Sequence, residues 1–100
     1  MDMEERYRLI ISTILNAIGC QVEVEHMLST GRIDIVASTS RFIYVMELKL
    51  ANNGGINAAE KQMIDNGYLK PFLADGRKVI GLAVELDDMG KGLIDWKEVK

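Results

Sequence analysis

The sequence predicts an α/β fold in which helices flank a mixed central sheet, with elements in the order α-β-β-β-α-β and a short final strand. Three observations predict this fold. An amphipathic helical repeat opens the chain, three consecutive segments then have strand patterns, and a second helical repeat precedes a nearly continuous apolar segment. The 100 residues, of which 48% are hydrophobic, suit one globular domain that spans residues 1–100.

Two segments have the periodicity of amphipathic helices. In residues 3–18, apolar side chains recur every three or four positions, and Gly19 is a suitable helix stop. The predicted apolar face of this helix consists of Tyr7, Ile10, Ile11, Ile14, Leu15 and Ile18. Residues 56–66 have the same spacing, at Ile56, Ala59, Met63 and Ile64. Both segments are therefore predicted to pack on a sheet.

Three strands are predicted between the helices. Residues 21–27 alternate polar and apolar side chains, as a half-buried strand does. Residues 32–37 and 41–50 are rich in β-branched and aromatic side chains, and a short loop at residues 38–40 joins them. These two segments should form an antiparallel hairpin, in which that loop places Asp34 across from about Tyr44.

Two further strands are predicted after the second helix. The segment from Lys78 to Leu86 is almost entirely apolar, which is typical of a central strand buried on both faces. The segment from Leu93 to Val99 predicts a short edge strand, with Trp96 folded back on the core.

Composition limits the class of protein. No apolar run approaches the roughly 20 residues that cross a bilayer, and the first residues lack the order of a signal peptide. The single cysteine, Cys20, predicts a reduced thiol, so we expect a cytoplasmic protein without a membrane partner. The net charge of −3 argues against a protein that coats nucleic acid by bulk attraction, although residues 31–80 carry a basic excess.

An acidic pair and a lysine are the candidate chemical groups. Strand alternation places Glu47 and Lys49 on one face, and a bulge in the hairpin would bring Asp34 close to Glu47. Two carboxylates suit hard cations such as Mg²⁺ or Mn²⁺, and a nearby ammonium suits phosphodiester hydrolysis. The alternative is a structural ion pair among the same three residues, which the Glu-x-Lys pattern taken alone favours.

A wider pattern supports the chemical interpretation. The segments Gly31-Arg32-Ile33-Asp34-Ile35-Val36 and Tyr44-Val45-Met46-Glu47-Leu48-Lys49-Leu50 resemble the motifs of the PD-(D/E)XK nuclease superfamily. The sequence most resembles the nuclease-like domain attached to bacterial AAA-ATPase-like proteins. The resemblance implies a restriction-endonuclease-like core. It also implies that Asp34 and Glu47 hold Mg²⁺ or Mn²⁺, that the carbonyl of Leu48 adds a ligand, and that Lys49 positions the attacking water.

The resemblance extends to outer positions of the site. Glu4, three residues before Tyr7, matches an outer acidic metal ligand, and Gln62 on the second helix matches a residue that points at the site. In the resembled family, the position of Glu25 lies near the site. Strand alternation, by contrast, places the Glu25 side chain on the face of the strand opposite to Val22 and Val24. One departure is the isoleucine that precedes Asp34, where the superfamily motif has proline.

Two functions follow from these observations. The first is a metal-dependent nuclease that hydrolyses phosphodiester bonds of DNA, with RNA as the less favoured substrate. The second is a catalytically silent module of the same fold that binds a partner protein. The acid-acid-lysine set favours the nuclease, and the negative net charge favours the module. A homodimer is a further prediction.

Overall fold

The computed structural model describes all of residues 1–100. Its two helices are α1 (Met3–Ala17) and α2 (Gly55–Asp65), and its five strands are β1 (Gln21–Leu28), β2 (Gly31–Ser38), β3 (Phe42–Leu50), β4 (Lys78–Leu86) and β5 (Leu93–Val99). Short 3-10 turns occupy Ala51–Asn53 and Lys70–Phe72. The predicted order of elements is confirmed. Neither helix has the length and apolar character that a membrane crossing requires.

The five strands form one mixed sheet in the order β1-β2-β3-β4-β5. β3 and β4 are parallel, and the other neighbouring strands are antiparallel. The central strand is β3, so the prediction of a central β4 was wrong by one position. β5 is an edge strand, as predicted, but Trp96 is 59% exposed and does not fold back on the core. Trp96 lies opposite Val84 on the face of the sheet that carries α1, and α1 packs mainly on β1, β2 and β3.

α1 packs on one face of the sheet through part of its apolar surface. Tyr7 and Ile11 contact a core cluster formed by Ile35, Ala37, Leu48, Leu50 and Leu86. The Tyr7 hydroxyl donates to the carbonyl of Asp87 at 2.7 Å and accepts the N–H of Gly92 at 3.0 Å, which ties α1 to the β4–β5 loop. Three residues of the predicted apolar face are exposed instead: Ile10, Ile14 and Ile18. α1 therefore contacts the sheet through a narrower set of residues than the sequence predicts.

α2 packs on the opposite face, above β3, β4 and β5. Ala59 and Met63 contact the larger core cluster, whose other members include Ile33, Val36, Ile43, Val45, Tyr68, Ala83 and Val99. The carboxylate of Glu85 on β4 accepts the N–H of Ile56 at 2.9 Å and satisfies one of the free donors of the helix N terminus. Gly55 has a φ of 57°, and a Cβ at this position would collide with the Glu85 carboxylate. The positive φ and this contact therefore favour glycine where the chain enters α2.

The β2–β3 hairpin has its loop at residues 39–41, one position later than the sequence predicts. Thr39 closes the turn, because its hydroxyl accepts the N–H of Phe42 at 3.0 Å and its own N–H donates to the carbonyl of Phe42 at 2.9 Å. Tyr44 consequently pairs with Ala37 and not with Asp34. The predicted register was wrong, and the observed one places Asp34 beside Glu47 without a bulge.

Candidate active site

Asp34 lies where β2 and β3 separate. The regular pairing of these strands ends at Ile35 and Met46. One residue further, Oδ2 of Asp34 accepts the N–H of Leu48 at 2.8 Å, so a side chain replaces the main-chain bond that continued pairing would supply. The separation opens a polar cavity of about 210 Å³ between the strands, which α1 and α2 border from either side. The main chain of β2 and β3 is therefore accessible from this cavity, although both strands lie inside the sheet.

Glu47 is the most deeply buried charged residue of the site. Its side chain is 3% exposed, and its Oε1 has no hydrogen-bond partner. Burial and the adjacent Asp34 charge raise the pKa of Glu47 to about 8. Burial also raises the pKa of Asp34, although the Leu48 N–H and the Arg8 guanidinium act in the opposite direction. The two carboxyl groups are therefore close enough to oppose each other's ionisation.

Lys49 lines the same cavity but only partly neutralises the acids. Its Nζ lies 3.8 Å from Oε2 of Glu47, and its side chain is 24% exposed. A structural ion pair should satisfy both carboxylate oxygens of a buried glutamate, because unpaired buried charge is strongly unfavourable. Oε1 of Glu47 remains unsatisfied, so the geometry favours a ligand-binding site over the ion-pair alternative.

The outer predicted residues also lie on the cavity wall. Glu4 borders the cavity, and its Oε1 accepts a bond from the Asn53 amide at 3.4 Å. No third aspartate, glutamate, histidine or cysteine joins Asp34 and Glu47 in a three-ligand cluster, so Glu4 is an outer carboxylate here. Gln62 borders the cavity and donates through Nε2 to the Tyr68 hydroxyl at 3.0 Å. The ligand roles of Glu4 and of the Leu48 carbonyl stay predictions.

Arg8 is a site residue that sequence analysis missed. One guanidinium nitrogen lies 3.6 Å from Oδ1 of Asp34, the other lies 2.8 Å from Oε1 of Glu25, and the side chain is 12% exposed. Arg8 follows Glu4 by four residues, so both lie on one side of α1, and this spacing was the available signal. Glu25 has a φ of 54°, which breaks the alternation of β1 and brings its carboxylate to Arg8 and Arg32. Alternation therefore mispredicted the direction of Glu25.

Gly31 and Tyr68 connect the first motif to α2. Tyr68 is fully buried, and its hydroxyl donates to the carbonyl of Arg32 at 3.1 Å. A Cβ at Gly31 would lie 2.7 Å from that hydroxyl oxygen. Glycine at this position lets the tyrosine reach β2, and the tyrosine in turn holds the Gln62 amide at the cavity wall.

The donor set fits a divalent cation that prefers oxygen ligands. Asp34 and Glu47 offer carboxylate oxygens, and no thiol or imidazole borders the cavity. The unpartnered Oε1 of Glu47 is a free acceptor aimed into a polar space. Burial raises the pKa of both acids, and a bound cation would favour their ionised forms.

Comparison with known proteins agrees with this geometry. The family model of the PD-(D/E)XK nuclease superfamily matches residues 2–96. The chain belongs to the PD-(D/E)XK nuclease superfamily. The match includes both motif strands and both helices, and the mixed five-stranded sheet with flanking helices is the restriction-endonuclease-like arrangement that the sequence predicts. The superfamily makes nuclease chemistry the general expectation for this chain.

A distant relative is similar to nearly the whole chain. It is an uncharacterised protein in the vnfD 5′ region of Azotobacter chroococcum mcd 1, which is 26% identical over 93 residues. The aligned segment is 93% of this chain and 18% of that protein, so the chain spans less than a fifth of the relative's length. No solved structure matches the chain significantly. These matches support the PD-(D/E)XK superfamily and no narrower branch of it.

Proposed function

We propose that this PD-(D/E)XK chain is a metal-dependent nuclease that hydrolyses phosphodiester bonds, with DNA as the preferred substrate over RNA. The unpartnered, buried Oε1 of Glu47 beside Asp34 and Lys49 is the observation that carries the proposal. A buried acceptor without a partner is rare in folded proteins, and such groups concentrate at functional sites.

Each residue has a distinct task in the proposed reaction. Asp34 and Glu47 would hold Mg²⁺ or Mn²⁺, with the Leu48 carbonyl and Glu4 as further oxygen donors. The bound ion would supply Lewis acidity and lower the pKa of a coordinated water. The Lys49 ammonium, which is only 24% exposed, orients the attacking water and offsets developing negative charge. The Gln62 amide, held by Tyr68, adds a polar contact at the cavity wall.

Substrate binding is supported by the basic residues around the acids. Arg8, Arg32 and Lys49 border the cavity and match the three acids Glu4, Asp34 and Glu47 in number, so a bound divalent cation would make the lining net positive. Glu25 contacts both arginines and holds Arg8 at 2.8 Å, in a position to approach a phosphate. Such contacts position the backbone of a nucleic acid without reading its sequence.

The second candidate is a catalytically silent module of the same fold that binds a protein. Exposed apolar residues favour it, notably Ile10 and Ile14 on α1 and Trp96 on β5. An organisation of residues 1–100 as a single domain, a cytoplasmic location and attachment to an AAA-ATPase-like region stay predictions in either case.

Cleavage and metal binding together test the proposal. Purified protein is incubated with supercoiled plasmid, linear duplex and single-stranded DNA in Mn²⁺, in Mg²⁺ and in EDTA. We expect cleavage only with metal. Lys49→Ala should slow cleavage by on the order of 100-fold or more while calorimetry still detects Mn²⁺ binding, because the lysine does not contact the ion. Glu47→Ala should abolish both.

Lys61→Ala is the matched control. Lys61 is an exposed lysine on α2 that pairs with Asp65, so its loss should leave cleavage unchanged. Cleavage that survives Lys49→Ala would indicate another mechanism. Absence of cleavage with every metal and substrate would favour the protein-binding module.

A further inference from the structure

The outer edge of β5 is open and apolar. Its partner β4 lies on one side only, and no strand pairs with the other side. Three large apolar side chains of this strand are exposed, namely Leu93 at 60%, Ile94 at 50% and Trp96 at 59%. An open edge of this kind is a template for pairing with another strand.

The opposite edge of the sheet differs. β1 is interrupted at Glu25, whose φ of 54° breaks its pairing with β2, and such irregularities protect edge strands from pairing. A bulge in the β4–β5 pairing leaves Ile94 without a partner, but β5 keeps an unbroken register with β4 from Asp95 to Val99. The stretch from Asp95 to Val99 therefore has the regular geometry that an added strand needs.

The main chain of β5 presents a free donor at this edge. The N–H of Trp96 donates to Oδ1 of Asp95, at 2.8 Å, and this bond directs it away from β4. Outward-facing groups alternate along the regular stretch, so Glu98 also presents its main-chain groups at the open edge. An antiparallel strand paired with Trp96 and Glu98 would form roughly four main-chain hydrogen bonds.

We propose that two copies of this chain associate through antiparallel pairing of β5 with β5, with Trp96 of each copy opposite Trp96 of the other. Charge selects this register. Centred on Trp96, the pairing sets Asp95 of each copy opposite Lys97 of the other, and opposite charges in direct cross-strand pairs are stabilising. A two-fold axis at Asp95 or at Lys97 would set like charges opposite each other instead.

The contacts within one copy are compatible with this dimer. Nζ of Lys97 lies 2.9 Å from Oε2 of Glu60, which orients the lysine on the α2 face of the sheet. Asp95 of the second copy would lie on the same face. Pairing gives the Trp96 N–H a main-chain acceptor, which releases the Asp95 carboxylate for Lys97. The candidate active site lies between β2 and β3, away from β5, so its cavity stays open in the dimer. An experiment can therefore disprove the dimer without disproving the nuclease activity, and the reverse.

Sedimentation equilibrium of the full chain tests the proposal. We expect a species of twice the 11.2 kDa chain mass, with dissociation on dilution. Trp96 is the single tryptophan, so its fluorescence emission should shift to shorter wavelength as the dimer forms and covers the ring. Asp95→Lys and Lys97→Asp should each raise the dissociation constant at least tenfold, because each sets like charges opposite one another.

An equimolar mixture of the Asp95→Lys and Lys97→Asp variants tests the charge pairing directly. In a dimer of one Asp95→Lys chain and one Lys97→Asp chain, residue 95 of each chain lies opposite an oppositely charged residue 97 of the other. The mixture should therefore dimerise, although neither variant does so alone. Glu98→Lys is the matched control and should still dimerise, since residue 98 faces Ile94 of the second copy in this register. A wild-type chain that stays monomeric up to about 1 mM would overturn the proposal. Dimers unaffected by either single variant would also overturn it.

Discussion

Replacement of Glu47 by glutamine tests whether this residue is held as an unsatisfied buried acid. The Glu47 side chain is 3% exposed, and its Oε1 lacks a partner. Glutamine has nearly the same shape but cannot ionise. The substitution therefore removes the ionisation of residue 47 and leaves the packing of β3 largely unchanged.

The magnitude follows from the pKa of Glu47, which burial and the Asp34 charge raise from 4.5 to about 8. The folded protein binds this proton more tightly than the unfolded chain does. The resulting stability is fully present below pH 4.5 and is lost as the pH rises towards 8. The full shift corresponds to about 5 kcal/mol, and relaxation around the ionised pair should reduce the loss to about 2–3 kcal/mol.

Urea unfolding in EDTA at pH 5 and pH 8 measures this difference. The wild type should lose about 2–3 kcal/mol more than Glu47→Gln between the two pH values. Glu98→Gln, at an exposed site on β5, is the control and should follow the wild type. With Mn²⁺ at about 100 times its dissociation constant, the wild type should regain about 2.7 kcal/mol at pH 8, and Glu47→Gln should gain much less.

Two results would refute this reasoning. Parallel pH profiles for the wild type and Glu47→Gln in EDTA would show that Glu47 ionises freely. A Glu47→Gln protein that is several kcal/mol less stable at pH 8 without metal would show that Glu47 is a structural partner of Lys49.

Three further substitutions extend the test. Asp34→Asn keeps an acceptor for the Leu48 N–H and removes one charge. In EDTA, thermal melts should therefore show a stability that is unchanged or higher by on the order of 1 kcal/mol, whereas in Mn²⁺ the variant should be less stable than the wild type. A large loss of stability in EDTA would contradict this. Arg8→Met should lower kcat/KM for DNA by on the order of tenfold in saturating Mn²⁺, as measured by kinetics, and unchanged kinetics would exclude Arg8 from substrate binding. Gly31→Ala should cost about 1–3 kcal/mol in urea unfolding, because its Cβ would press on the Tyr68 hydroxyl, and a neutral result would contradict the tight contact.

Local patterns in the sequence determined the order of elements and singled out three candidate site residues. Helical and strand periodicities depend on side chains a few positions apart, so α1, β3 and β4 were predicted within one or two residues of their bounds. Asp34, Glu47 and Lys49 stood out because ionisable groups within apolar strands require partners or ligands. The structure then brought all three to one cavity.

Tertiary structure decided which strand residues face one another and which helix residues are covered. The hairpin loop, closed by hydrogen bonds of Thr39, lies at residues 39–41 and places Asp34 beside Glu47, a register that strand periodicity cannot reveal. Arg8 reaches Asp34 only because α1 crosses β2 at that point. Trp96 is exposed because α1 packs mainly on β1, β2 and β3. Such outcomes depend on contacts between residues far apart in the chain, whereas sequence patterns report only on near neighbours.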